Sequence, residues 1–202
     1  MKTRTLIIVG AVLLAALTRL MPHPQNFAPI TAMALFGAAS LTDRRLGILT
    51  PLLALFVSDM CIEVAHRLGW MTSWGIYSGM WVMYLVNLLI ILIGLLLRKH
   101  RTVPVIAGAT LAGSVVFFLV TNFGVWAFGG LDINGNPYPH TVEGFIVCYQ
   151  EAIPFFKNTL LGDAFYSTAL FGGFALAEWR LPALRRLPAK IHHPESEMPT
   201  AN

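Results

Sequence analysis

Residues 76–97 run for 22 positions without one charged side chain. Coiled as a helix, that length matches a bilayer, whose hydrocarbon core takes about 20 residues to cross. A chain carrying such a stretch has to place it in lipid or in an unusually large core. The composition favours lipid: 56% of the 202 residues are hydrophobic and 12% are charged, against about 25% charged in an average soluble domain. The mean hydropathy is +0.66. These values exclude a disordered chain, a nucleic-acid-binding domain and most soluble enzymes. The 2 cysteines exclude a disulfide scaffold or a four-cysteine zinc site.

Five further apolar stretches accompany residues 76–97. Helices are expected at about 5–21, 26–41, 46–65, 76–97, 103–128 and 155–177. The first has a short apolar heart behind Lys2 and Arg4, as a signal peptide would. Thr18-Arg19-Leu20 is a poor cleavage region, so a retained helix is expected. Basic residues then give the chain a direction. If the N-terminus is cytoplasmic, that side holds Lys2, Arg4, Arg44, Arg45, Arg98, Lys99, Arg101, Arg180, Arg185, Arg186 and Lys190, or 11 of 14. The other side keeps Arg19, Arg67 and Lys157. Such a split follows the positive-inside rule. The expectation is an all-α membrane protein, a six-transmembrane-helix bundle with cytoplasmic N- and C-termini. One membrane domain spans 1–181, and 182–202, with four prolines, reads as a disordered cytoplasmic tail. The +4 net charge is thus a topology signal, and no nucleic-acid partner is expected.

The outer loops are richer than the inner ones. They carry His23, His66, Trp70, Trp74, Asn134, Tyr138, His140, Glu143 and Tyr149. In the last, Val142, Phe145, Ile146, Tyr149 and Ile153 recur at helical spacing, which predicts an amphipathic helix over 141–153, an interfacial anchor or a lid.

Polar residues within spans are costly and usually face an interior or a cavity. Asp59 and Glu63 lie one turn apart in the outer part of the third helix. Asn122 and Trp126 are similarly placed on the fifth, and Asn158 and Asp163 near the start of the sixth. His23 and Asn26 stand at the entry to the second. Asn26, Asp59, Asn122 and Asp163 therefore come from four helices at one depth, and together they predict an outward-facing binding pocket. The opposing reading is that the carboxylates satisfy Arg19, Arg67 or Lys157 or cap helix ends. Asn87, mid-helix, reads as an interhelical hydrogen bond. Cys61 and Cys148 both fall on the outer side, where a disulfide is conceivable. No phosphate-binding loop, H-E-x-x-H helix, G-x-S-x-G elbow, haem motif or flavin motif is present, so no cofactor is expected.

Four strings carry a family resemblance: RLMPHPQNFAPITAMALFGAA (19–39), PLLALFVSD (51–59), FFLVTNFGVWA (117–127) and YPHTVEGFIVCYQEAIPFFKNTLLGDAFYSTALFG (138–172). Together they resemble an uncharacterised bacterial membrane family labelled as transport proteins. That family is similar in layout to the substrate-binding S components of energy-coupling-factor (ECF) transporters. The resembling residues include Pro22, His23, Asn26, Asp59, Asn122, Trp126, Asn158 and Asp163; Ala38 stands where the pattern has a second glycine. The resemblance implies a multi-pass protein of the bacterial inner membrane, with an outward pocket under loops one, three and five. It implies no ATPase in this chain, but a transmembrane coupling subunit and an ATPase pair as partners. An A-x-x-x-A partner-helix contact would correspond to Ala11 and Ala15.

The expected function is a substrate-binding membrane subunit, not itself an enzyme, that captures a small molecule or ion. The proposed binding residues are His23, Asn26, Asp59, Asn122, Trp126, Asn158 and Asp163. Two other readings stay open: an intramembrane enzyme acting on a lipid-like substrate through His23, His140, Asp59 and Asp163, and a structural or assembly protein without ligand. Two carboxylates and a histidine suit a cation or a hydrogen-bond-rich ligand, and Trp70, Trp74 and Trp126 would suit a flat ring.

Overall fold

A computed structural model describes residues 2–185; the expected tail lies outside the described residues from 186 onward. Among the described residues the regular elements are all helices, with one isolated β-bridge, Leu131 to Pro137, in a loop. Helix α1 (Lys2–Leu17) runs into a 3-10 turn (Thr18–Leu20), followed by α2 (Ile30–Ser40), α3 (Arg44–Arg67), α4 (Met80–Leu96) and α5 (Val103–Ala127). Then α6 (Val142–Ser167) continues through a π-helical turn (Thr168–Gly172) into α7 (Gly173–Arg180). Four rods are long and apolar enough to cross a membrane: Lys2–Leu20, Arg44–Arg67, Val103–Ala127 and the continuous 39-residue Val142–Arg180.

The centre of the bundle is α2. All 11 of its residues are buried, and α1, α3, α4, α5 and α6 all pack on it. Ile-Thr-Ala-Met-Ala-Leu-Phe-Gly-Ala-Ala-Ser is apolar around its whole circumference, so it has no face to offer water. Small residues on both partners let the neighbours close in. A Cβ on Gly113 of α5 would sit 2.5 Å from Thr31 Cγ2, and one on Gly94 of α4 would sit 2.8 Å from Ala38 Cβ. The Pro51 ring of α3 fills the space left by Gly37 in the same way.

Two ends are distinguishable. At one, the loops 21–29, 68–79 and 128–141 gather; we call it the loop end. At the other, α2 stops beside basic side chains. Arg4 donates to Ser40 O at 3.5 Å and pairs with Glu178 at 3.1 Å. Arg98 donates to Ala38 O at 3.1 Å and also to Thr42 O. Cations there complement the negative end of the α2 dipole.

Three expectations change. The clearest uncharged stretch becomes a 17-residue helix, because Tyr77-Ser78-Gly79 forms a turn that Met80 N closes on Tyr77 O. The predicted amphipathic helix over 141–153 is not separate. Thr141 caps α6 by accepting from Gly144 N, and the helix continues through Pro154, whose missing N–H falls on an exposed surface. Ala15 is buried in the core and the partly buried Ala11 packs against it. Asn87 is wholly buried on the same helix face as Ile90, Ile91 and Gly94, yet neither polar atom of its side chain has a hydrogen-bond partner among the described residues. An unsatisfied buried amide is costly. Asn87→Leu is therefore expected to raise stability by about 1 kcal/mol, read as a higher unfolding temperature in detergent; an unchanged or lower value would contradict this.

Candidate functional site

At the loop end, α2 to α6, the 3-10 turn after α1 and the three loops line one cavity of about 560 Å³. The 3-10 turn brings Arg19, and the loop before α2 brings His23, Gln25 and Asn26. Thr31 comes from the first turn of α2, and Phe117, Thr121 and Asn122 come from α5. Glu151, Thr159 and Asp163 recur along one face of α6. Trp74 and Tyr77 close one side from the second loop, and Asp132 and Tyr138 close another from the third.

The two buried aspartates have opposite surroundings. Asp59 is already compensated. Arg19 Nη1 lies 2.6 Å from its Oδ1 and also donates to Ser58 Oγ, while Tyr84 Oη donates to Asp59 Oδ2 at 2.8 Å. Both charged side chains are largely buried, at 15% and 6% exposure. Asp59 does not line the cavity; its partner Arg19 does. Asp163 is 2% exposed. Ser114 Oγ donates to its Oδ2 at 2.6 Å, and the Thr31 hydroxyl is its other hydrogen-bonding neighbour. Neither α2 nor α5 carries an ionisable side chain, so no cation reaches Asp163 from the helices packed on it. The positive end of the α2 dipole supplies about half a charge.

The remaining predicted residues divide. His23 and Asn26 line the cavity, and Asn26 sits in the left-handed region at φ 63°, which asparagine adopts more readily than most residues. Asn122 lines it too, with its amide Nδ2 turned back to Phe118 O at 2.7 Å. Asn158 and Trp126 instead hold loops. Asn158 Nδ2 donates to Gln25 O at 2.9 Å, and Trp126 Nε1 donates to Pro139 O at 3.0 Å while its ring packs on His140 and Phe145. His66 stacks on Trp74. Cys61 and Cys148 are free thiols. Among the described residues, no group of three or more His, Cys, Asp or Glu is arranged to hold a metal ion.

Sequence reasoning passes over Thr31, Ser114, Tyr84 and Glu151. The available signal for Ser114 is its spacing: it lies eight residues before Asn122, two turns away on one face of α5. Glu151 is fixed by Tyr138, whose hydroxyl donates to Oε2; burial, then this bond, pushes the Tyr138 hydroxyl above its ordinary range.

Residues 1–184 match the model of DUF6580, a family of unknown function. The chain belongs to the DUF6580 family. No curated protein and no solved structure matches it. The family match takes in every helix, so the whole cavity of this DUF6580 chain lies inside the shared region.

Two outcomes follow from the geometry. Arg19→Ala and Asp59→Asn should each destabilise the fold by about 3 kcal/mol, because each strands a buried polar partner. Arg19→Met with Asp59→Leu should cost clearly less than the sum; additive losses in thermal melts would show the pair to be uncoupled. Asp132 accepts from Asn136 N and Asn134 N, both at 2.8 Å, and these bonds hold its carboxyl below the usual range. A depressed carboxyl stabilises the turn above its unfolded value and loses that effect as pH falls through the folded one. Amide exchange at Asn134 and Asn136 should accelerate below the ordinary aspartate range in the wild type, and be fast at all pH values in Asp132→Ala.

Proposed function

We propose that this chain is a substrate-binding transport protein that captures a small cationic or hydrogen-bond-rich molecule in the loop-end cavity. The observation that carries the reading is Asp163, a buried carboxyl lining a cavity with no positive side chain on the helices packed against it. A carboxylate so placed is costly without a compensating charge, and a cationic ligand supplies one. The surroundings support the same sign of ligand. Arg19 is committed to Asp59, whereas Asp132, Glu151 and Asp163 all line the cavity. Trp74 and Tyr77 add flat apolar walls at its mouth.

In this reading the loop end faces outward, the basic end faces the cytoplasm, and α2 and α4 complete six crossings beside the four long rods. A short α2 suits the middle of a bundle, because protein rather than lipid surrounds it. The charge split of the sequence supports this orientation for a bacterial inner-membrane protein. This reading makes the chain an ECF-like S component, which would draw its energy from a separate coupling subunit and ATPase pair.

The test is a thermal-shift screen of the purified protein against metabolite fractions sorted by charge. Cationic fractions should raise the unfolding temperature of the wild type. Asp163→Asn should weaken binding roughly ten- to hundred-fold, as expected for one charge-assisted hydrogen bond. No stabilisation by any fraction would end the reading, and unchanged affinity in Asp163→Asn would end the assignment of the site.

A further inference from the structure

A second cavity, of about 580 Å³, opens at the basic end between α5 and the α6–α7 rod. Arg101 and Glu178 stand at its mouth, and Thr110, Ser114, Ser167 and Thr168 provide its polar lining. Ser114 lines this cavity but not the loop-end one, while Asp163 lines the loop-end cavity but not this one. The 2.6 Å hydrogen bond from Ser114 Oγ to Asp163 Oδ2 therefore joins the linings of the two cavities. Both side chains are buried, at 1% and 2% exposure. Below it the polar line continues, with Thr110 Oγ1 donating to Ser167 Oγ at 3.1 Å. The π-helical turn begins at the next residue and forms part of the same wall.

We propose that the Asp163–Ser114 pair is a proton-transfer partition linking the two cavities, so that this chain conducts protons from its loop end to its basic end. Oxygens 2.6 Å apart leave no room for a hydrated metal ion or an organic cation, but a proton crosses between them while both stay in place. The step balances simply. Asp163 takes a proton from water in the loop-end cavity and becomes a carboxylic acid. Once Asp163 is protonated, the Ser114 hydroxyl turns its hydrogen away from it toward the second cavity, where Thr110 O lies 3.0 Å from Oγ. The acid then donates to Ser114 Oγ as that hydrogen passes to water in the second cavity, and the newly received hydrogen lies along the original bond to Asp163. One proton enters, one leaves, and nothing is oxidised or reduced.

The charged surroundings bear on this directly. From α2, Asp163 meets Thr31, and from α5 it meets Ser114; neither helix has an ionisable side chain. On its own rod, Lys157 is exposed to the outside. The other ionisable groups lining the loop-end cavity are Arg19, which is held by Asp59, and His23, Tyr77, Asp132, Tyr138, Cys148 and Glu151. No fixed cation competes with the proton at Asp163. The route needs a membrane-spanning bundle but does not depend on any ligand, so its failure and the failure of the binding reading are separately visible.

The test uses the full chain in liposomes loaded with a pH-sensitive dye, under an imposed potassium-diffusion potential. The wild type should acidify the lumen faster than protein-free liposomes. Asp163→Asn should abolish the excess. Ser114→Ala should slow it about ten-fold, the equivalent of one lost hydrogen bond to a charged group, and Ser114→Thr should restore it. Infrared difference spectra on a pH step give a second readout should Ser114→Ala not fold: the wild type should show a protonated-carboxyl band that Asp163→Asn removes. Wild-type flux no greater than that of empty liposomes, wild-type flux retained in Asp163→Asn or Ser114→Ala, or a carboxyl band that survives Asp163→Asn would each overturn the proposal.

Discussion

The architecture depends on enclosing α2. A helix with no solvent-tolerant face can persist only if neighbours cover all of it, and here five helices do so. That requirement explains where the small residues lie, since Gly94, Gly113 and Pro51 mark the places where other helices come closest. It also sets the electrostatics at both ends of the bundle. The negative end of α2 meets Arg4 and Arg98, and its positive end opens toward Asp163. One short apolar segment thus aligns the basic end and the cavity along a single axis.

The contrast between the two aspartates gives the cavity its character. Asp59 is part of the scaffold: Arg19 crosses from the end of α1 to reach it, and Tyr84 holds its other oxygen. The pair ties α1, α3 and α4 together beside the cavity without occupying it. Asp163 has hydroxyl partners only, and so keeps a demand for positive charge that the packed helices leave unmet. Equal formal charge and similar burial produce different roles because only one of the two has its counter-charge built in.

Much of the helical layout is legible in the sequence because charge is so scarce. The starts of α3 and α5 fall within two residues of the positions read from charge and hydropathy. Asp163 stands out through its depth within an apolar run. What is not legible depends on three-dimensional company. The helices expected at 141–153 and 155–177 are one rod, which passes through Pro154 with the proline on an exposed surface. Asn87 reads as an interhelical bond, but no neighbour offers a partner. Depth alone ranks Asp59 with Asp163, and only the reach of Arg19 separates them. Trp126 and Asn158 share the depth of the cavity but turn toward loops, since depth does not reveal the rotation of a helix about its own axis.

The π-helical turn at Thr168–Gly172 bears on that same question of rotation. A uniform α-helix of 39 residues would keep one angular phase from end to end. A wider turn takes up an extra residue, which advances the remainder by roughly 100°. The rod is therefore two phased segments joined without a break. The upper presents Asp163 to α2 and α5; the lower presents Phe171 and Phe174 to Phe36, and Glu178 to Arg4. Removing one residue from the wide turn would swing the lower half by roughly 100° and carry Phe174 and Glu178 away from Phe36 and Arg4, so the turn is what lets both sets of contacts exist on one rod.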